Sequence, residues 1–290
     1  MGAGEKAQEA VHWDIEIKPT GPWWRVDFKE IWRYRDLTRL LVRRNLTTQY
    51  KQSVLGPLWL FLHPLLVTVT YTVMFGLVAR ISPKDMPPLL FYLSGIVPWT
   101  CFAGVLNRTA TSLSGNAALF TKVYFPRLVM PLSTTFSSLF TFAMQVVLML
   151  LIIGFYHFTG RYHWAPSMDI LAFPLVILLI TLLGLGGGIM VAALTAKYRD
   201  FSFVVTFGTQ LLMFASPVIV PLEMAERQPV LYTILRANPM TPLIQSTRAM
   251  LFGQPVPWGD LVYSAGCTAV MLVLGLMVFQ RIERSFTDVV

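Results

Sequence analysis

Six stretches of this chain contain no Asp, Glu, Lys or Arg, and the shortest is 20 residues long: 52–79, 86–107, 128–160, 170–196, 201–222 and 261–280. A helix of roughly 20 apolar residues crosses the ~30 Å hydrocarbon core of a bilayer. Lipid offers no partners for backbone N–H and C=O groups, so runs of this length are constrained to be helices. The expected fold class is an all-α integral membrane protein with six transmembrane helices, drawn at 58–79, 89–107, 129–155, 170–196, 201–222 and 261–280. Pro87, Pro88 and Pro98 make the second the most interrupted. Charged residues are only 13% of the chain, about half the share usual in soluble domains. The first 50 residues hold no apolar core of signal-peptide length, so no signal peptide is expected.

The placement of charge gives an orientation, because Lys and Arg favour the cytoplasmic side. Seventeen of the 23 lie in the N-terminal arm, the second and fourth loops and the C-terminal tail. The other six, Arg80, Lys84, Arg161, Arg227, Arg236 and Arg248, fall in the alternate loops. Both termini are therefore expected in the cytoplasm. The net charge of +8 reads as a topology signal, and nucleic acid is not expected as a partner. Within the spans as drawn only His63 is ionisable, whereas ion-coupled carriers need intramembrane ionisable groups. Beside Pro64, His63 reads as a packing or kink residue. His157 and His163 in "YHFTGRYHW" read as an exposed outer loop. Cys101 and Cys267 lie in separate apolar runs and suggest neither a disulfide framework nor a metal site. The chain has no GxxxxGK[ST] phosphate loop and no GxSxG elbow. No catalytic residue, metal ligand or cofactor is expected in this chain, so energy for any work must come from a partner.

Three pieces are expected outside the spans. The arm, 23–57, is rich in aromatics and arginines. Asp36 is a candidate helix cap, Leu37, Leu40 and Leu41 share one face, and Arg39 and Arg43 lie opposite. Trp23, Trp24 and Trp32 suit lipid headgroups, so the arm reads as an interfacial anchor and also as a possible dock for a soluble subunit. Residues 1–22 are expected to be a flexible tail. The second loop, "SGNAALFTKVYFPRLVMPLS", is apolar for a connector; a short helix over 117–125, stopped by Pro126, would lie on the membrane face. "KYRDF" reads as a tight turn. The outer loop, 223–260, contains two apolar segments too short to cross, split by Pro239 and Pro242, which read as helices dipping into the outer leaflet. Gly184 and Gly188 form a GxxxG in the fourth run and predict close helix packing.

The order of several blocks is informative. "YKQSVLGPLWLFLHPLL", "LFTKVYFPRLVMPLS", "KYRDF", "FASPVIVP", "NPMTPLIQSTRAMLFG" and "FQRIERSFTDVV" resemble, in sequence, the blocks of the membrane subunits of ABC-2-type polysaccharide exporters. The "FPRL" form is most like the O-antigen exporter subfamily. The resemblance covers the chain from about Trp23 onward and implies a bacterial inner-membrane protein. It implies a homodimer enclosing a channel, with two ABC ATPase subunits that bind ATP and Mg. The implied cargo is an undecaprenyl-diphosphate-linked polysaccharide moved from cytoplasm to periplasm, with membrane lipids as further partners. The resemblance assigns coupling to the ATPase to Arg43, Arg44, Tyr50, Lys51 and Gln52 of an interface helix. It assigns the same role to Leu119, Phe120, Lys122, Tyr124, Phe125, Pro126 and Arg127, with Arg199 and Asp200 in the fourth loop. Periplasmic gate helices are implied around 230–236 and 239–252, through Tyr232, Leu235, Asn238, Pro239, Met240, Pro242 and Ile244. Trp59, Tyr71, Phe75 and Trp99 are candidate channel-lining residues, since sugars stack on aromatic faces. On this reading Gly56-Pro57 turns the chain from lying on the membrane to crossing it.

Other functions remain open on sequence. A teichoic acid, capsule, small-lipid or drug exporter would share the architecture. A membrane enzyme acting on polyprenyl-phosphate sugars would need converging catalytic groups, for which Arg199 and Asp200 are the nearest candidates. A passive scaffold leaves the amphipathic arm and outer loop without purpose.

Overall fold

The structure, a computed structural model, describes residues 28–287 apart from 52, 82, 84, 121–124 and 199. At 28, 50, 117, 196, 197 and 282–287 it describes the backbone only. Among the described residues every regular element is helical. Helices α1 (Phe28–Arg33) and α2 (Arg35–Tyr50) form the arm. The next helix starts at Gly56, whose φ of +50° is a left-handed conformation that glycine adopts freely. A 3-10 turn at Gly56–Leu58 with Pro57 in its first turn leads into α3 (Trp59–Tyr71). Proline is suited there because no N–H is needed in a first turn. Pro64 lies inside α3, and Thr68 Oγ1 donates to its carbonyl at 2.7 Å. The helix then continues as a π-helix over Thr72–Val78.

Among the described residues, five helices are long and apolar enough to cross a membrane: Gly56–Val78, Pro88–Ala110, Val129–Phe158, Met168–Thr195 and Trp258–Arg281. The second is α4 (Pro88–Ala110). A turn at Ser114–Asn116 and the four-residue α5 (Ala117–Phe120) lead to α6 (Val129–Phe158). Then come α7 (Phe173–Lys197) and, last in the chain, α12 (Trp258–Thr287). α7 packs along both α4 and α12. Its glycines set that packing. A Cβ at Gly184 would stand 3.0 Å from the Phe102 carbonyl, and one at Gly188 would stand 2.6 Å from Thr109 Cβ, both on α4. Gly186 faces α12, where a Cβ added at Gly275 would overlap the Gly186 carbonyl. Small residues bring helix backbones close in membranes, as expected for Gly184 and Gly188. α4 and α7 are the most buried of the five, whereas α3, α6 and α12 expose apolar flanks.

The fifth run differs from the continuous helix expected at 201–222. It forms α8 (Phe201–Phe214), a helix of 14 residues and so about 21 Å long, short of the bilayer core. Beyond it the chain turns at 215–219, yet Ser216, Val218 and Ile219 are all buried. Three short helices follow: α9 (Leu222–Ala225), α10 (Pro229–Ala237) and α11 (Met240–Phe252). α10 and α11 coincide with the two segments expected from sequence. α11 buries all its residues except Gln245 and ends at Gly253, whose φ of +70° closes the helix.

In the arm, Asp36 is not the cap: Tyr34 holds that position without a side-chain bond, and Asp36 pairs with Arg39 at 3.2 Å. Leu41 is buried and Leu37 half-buried, but Leu40 is 64% exposed. The buried face of α2 follows the 34, 37, 38, 41 spacing, which leaves Leu40 on the other side.

Candidate functional site

The break after α8 is held by two side chains from the short-helix segment that follows it. Asn238, between α10 and α11, donates from Nδ2 to the Ala215 carbonyl and to Ser216 Oγ, each at 2.8 Å. Its Oδ1 accepts from the Met240 N–H at 2.9 Å, at the start of α11. The second is Arg248. The charge count places it in the loop 223–260, and within that loop it lies inside α11, 7% exposed. Its Nη1 donates to the Pro217 carbonyl at 2.6 Å. Its Nη2 donates to the carbonyls of Phe91 (3.2 Å) and Val218 (3.5 Å), and Nε to Ser94 Oγ at 3.3 Å. The guanidinium carbon stands 3.9 Å from the centroid of the Phe91 ring.

The chemistry follows from the broken helix. Carbonyls past the end of α8 have no helical donors, and irregular backbone is tolerated at membrane depth only when buried and bonded within protein. A guanidinium has five donors in a fixed fork, enough to serve α4, the break and itself. An arginine keeps its proton inside proteins, so these donors carry a positive charge. Gly95 leaves the space: a Cβ there would stand 2.5 Å from Arg248 Nη2. The available sequence signal was an arginine within an apolar segment too short to cross.

The other gate candidates gather around this clasp. Leu235, Met240 and Ile244 are fully buried, and Pro242 is buried beside them. The Pro239 carbonyl accepts from Ser264 Oγ of α12 at 2.8 Å. Tyr232 is half-buried on α10, with Arg236 over its ring at 6.0 Å.

Three of the candidates for coupling, Leu119, Phe120 and Phe125, lie in a second cluster. Leu41 of α2 is buried with Phe125, Val129 and Met130, and Leu37, Leu119 and Phe120 pack on them. Phe120 and Phe125 stack at 5.2 Å, and the Arg127 guanidinium lies 5.8 Å from the Phe120 ring. Pro126 is half-buried, and its carbonyl accepts from the Val129 N–H as α6 begins. Arg43, Arg44 and Lys51 are exposed, and Asp200 is exposed before α8. Tyr50 ends α2, with its side chain outside the described residues. Gln52, Lys122, Tyr124 and Arg199 lie outside them altogether, as do the tail 1–22 and the anchors Trp23 and Trp24. Of the helix expected over 117–125, residues 117–120 form α5 and 121–124 lie outside the described residues. Trp32 is 69% exposed with Arg35 over its ring at 5.8 Å.

The aromatic candidates do not share one surface. Trp99 is 4% exposed and packs on Phe102 in the core, on the central helix α4. Tyr71 and Phe75 are half-buried, edge to face at 5.5 Å, and Tyr71 meets Tyr92 at 6.4 Å. Trp59 is 43% exposed and lines a cleft between α3 and α6. His157 Nδ1 accepts from the Trp164 N–H at 3.2 Å, closing the turn after α6.

These features define a multi-pass helical membrane protein whose buried charge is held by carbonyls and braces a helix break. Residues 36–252 match the ABC-2 type transporter family, and the chain belongs to it. It is similar to the O-antigen export system permease protein RfbA of Myxococcus xanthus, at 30% identity over 90% of this chain and 97% of that protein. The RfbA protein of Klebsiella pneumoniae is 25% identical over 88% of this chain and 95% of its own length. The polysialic acid transport protein KpsM of Escherichia coli is 24% identical over 84% of this chain and 93% of its own length. The chain is thus a membrane subunit of a transporter, not an enzyme.

Proposed function

We propose that the chain is the membrane subunit of an ATP-driven exporter that carries a lipid-linked polysaccharide, O antigen foremost, from cytoplasm to periplasm. The observation that carries this reading is the 30% identity to the Myxococcus RfbA permease across 90% of the chain. The polysaccharide travels on undecaprenyl diphosphate through a channel between two copies of the chain. Two ABC ATPase subunits bind ATP and Mg and dock on the cytoplasmic side. Both termini lie in the cytoplasm of an inner membrane. The sixth crossing is α8 together with the buried turn that follows it, and α10 and α11 form the periplasmic gate.

The geometry supplies a route for force. An ATPase pressing on α5 and Phe125 presses on the cluster that joins α2 to the first turn of α6. α6 has 30 residues, so it is a rod of about 45 Å that carries displacement to the outer side. There the gate helices are tied to α4 and to the break after α8 through Arg248. A capsule polysaccharide is the second reading, favoured by the similarity to the polysialic acid transport protein. Deleting the gene from its host and probing surface glycans tests both. The reading predicts loss of surface O antigen and its accumulation on the lipid carrier inside the cell. Loss of capsule alone moves the cargo to the second reading, and unchanged surface glycans end both.

A further inference from the structure

α6 ends at Phe158, and the turn that follows it, 159–167, is fastened to α6 and to α11 at the same time. On the α6 side, the Tyr156 carbonyl accepts from the N–H groups of both Arg161 and Tyr162, at 3.1 and 3.2 Å. The Thr159 N–H bonds to the Phe155 carbonyl at 3.0 Å, and the Gly160 N–H to the His157 carbonyl at 3.1 Å. The His157 ring then holds the Trp164 N–H at 3.2 Å. The turn therefore hangs from the last helical turn of α6 by several bonds and follows that helix.

On the α11 side, the same turn serves the last carbonyls of the helix. Carbonyls in a final helical turn have no donor within the helix. In α11 the Ala249 carbonyl takes the N–H groups of Gly253 and Gln254, which follow it in the chain. The next two carbonyls depend on the turn. Met250 accepts from the Ser167 N–H at 3.1 Å, and Leu251 accepts from the Trp164 indole Nε1–H at 2.8 Å. Both residues are buried, so losing either donor carries the penalty of an unsatisfied acceptor. Tyr162 meets Phe252 edge to face with centroids 5.9 Å apart, and a Cβ on Gly253 would overlap the Ala165 carbonyl. Arg248 stands about one helical turn before Leu251, with its own bonds to Pro217 and Phe91. Trp164 is thus a single residue that bonds to both helices, through its backbone to α6 and through its indole to α11.

We propose that the turn 159–167 is the joint that makes α6 and the gate helix α11 move as one body, with Trp164 as its positioning residue. Displacement of α6 passes through the Trp164 indole to the end of α11, and from there through Arg248 to the break after α8. Trp164 touches no cargo and acts through α11. The proposal rests on the exporter reading and on the route for force given above.

The test compares the native chain with Trp164→Phe, which keeps an aromatic ring and loses the indole donor, each in proteoliposomes with the ATPase partner. The readout is glycan moved per ATP hydrolysed, a ratio that loss of folded protein alone leaves unchanged. Trp164→Phe is expected to lower it by roughly fivefold, the factor that one lost hydrogen bond contributes to an equilibrium. Ala165→Cys and Gln254→Cys, both at exposed positions beside the Gly253 contact, are then added to this variant with Cys267→Ser. Cys101 is buried. A short bis-methanethiosulfonate reagent bridging the new pair is expected to restore the ratio, and reductant to remove the gain. A native ratio in Trp164→Phe would overturn the proposal, as would a bridge that restores nothing. Hydrogen exchange on the chain alone gives a reading that needs no transport. Trp164→Phe is expected to speed exchange in 160–168 and in 249–254 together, by roughly fivefold. Unchanged exchange at 249–254 would also overturn the proposal. Failure of the exporter reading is seen separately, as a native complex that hydrolyses ATP and moves no glycan, and the exchange measurement still decides whether the turn fastens the two helices.

Discussion

Arg248 links three parts of the molecule with one side chain: α11, α4 and the turn beyond α8. Removing it leaves the Pro217 carbonyl buried without a donor and opens a void beside Gly95. Leaving a buried acceptor unsatisfied costs about 1–3 kcal/mol, and the void adds to it. Arg248→Leu is therefore expected to destabilise the protein by about 3 kcal/mol, seen as a marked fall in melting temperature in detergent. Arg248→Lys is expected to recover little of this, because an ammonium cannot span carbonyls on two elements as the fork does. A lysine variant as stable as the native protein would show that charge alone is needed. Sequence could not foresee this role. An arginine in a loop and an arginine in a buried short helix look alike until the partner carbonyls are known.

Helices differ in how far sequence disclosed them. The long uncharged runs predicted α3, α4, α6, α7 and α12, because length and the absence of charge determine a spanning helix without reference to neighbours. The break in the fifth run was marked only by Pro217 and Pro221, since "FASPVIVP" is uncharged and its turn is stabilised by Asn238 and Arg248 from distant sequence. The glycines of α7 were legible as a packing motif, but the partner was only partly so. Gly184 and Gly188 meet α4, while Gly186 meets Gly275 of α12. Gly275→Val is expected to push α7 and α12 apart and to reduce the monodisperse fraction in size-exclusion chromatography, with a loss of at least ~2 kcal/mol. Gly154→Val is the control, because nothing lies within 4 Å of a Cβ there. At the other end of the molecule, Phe125→Ala removes the stack on Phe120 and the contact with Leu41. It is expected to lower cargo-stimulated ATP hydrolysis severalfold while basal hydrolysis by the bound ATPase persists. An equal fall in both rates would point to lost assembly instead.

The molecule as a whole joins an amphipathic arm, a helical body and the short helices α9 to α11 into one transport subunit of the ABC-2 family. α3, α6 and α12 expose apolar flanks, which suit a bilayer and a second copy, while α4 and α7 form the fixed centre. Aromatic lining was the least legible property, because a tryptophan in an apolar run has the same sequence signature whether it faces a channel or a core. Trp99 went to the core. The measurement that tests the central claim most directly is transport by the purified chain and its ATPase partner in proteoliposomes. Lipid-linked polysaccharide is supplied on the ATPase side, and its arrival on the opposite side is followed with a glycan-binding probe. Arrival that requires ATP hydrolysis is expected, with chain and ATPase present in equal number. Glycan that stays on the ATPase side while the intact complex hydrolyses ATP would contradict it.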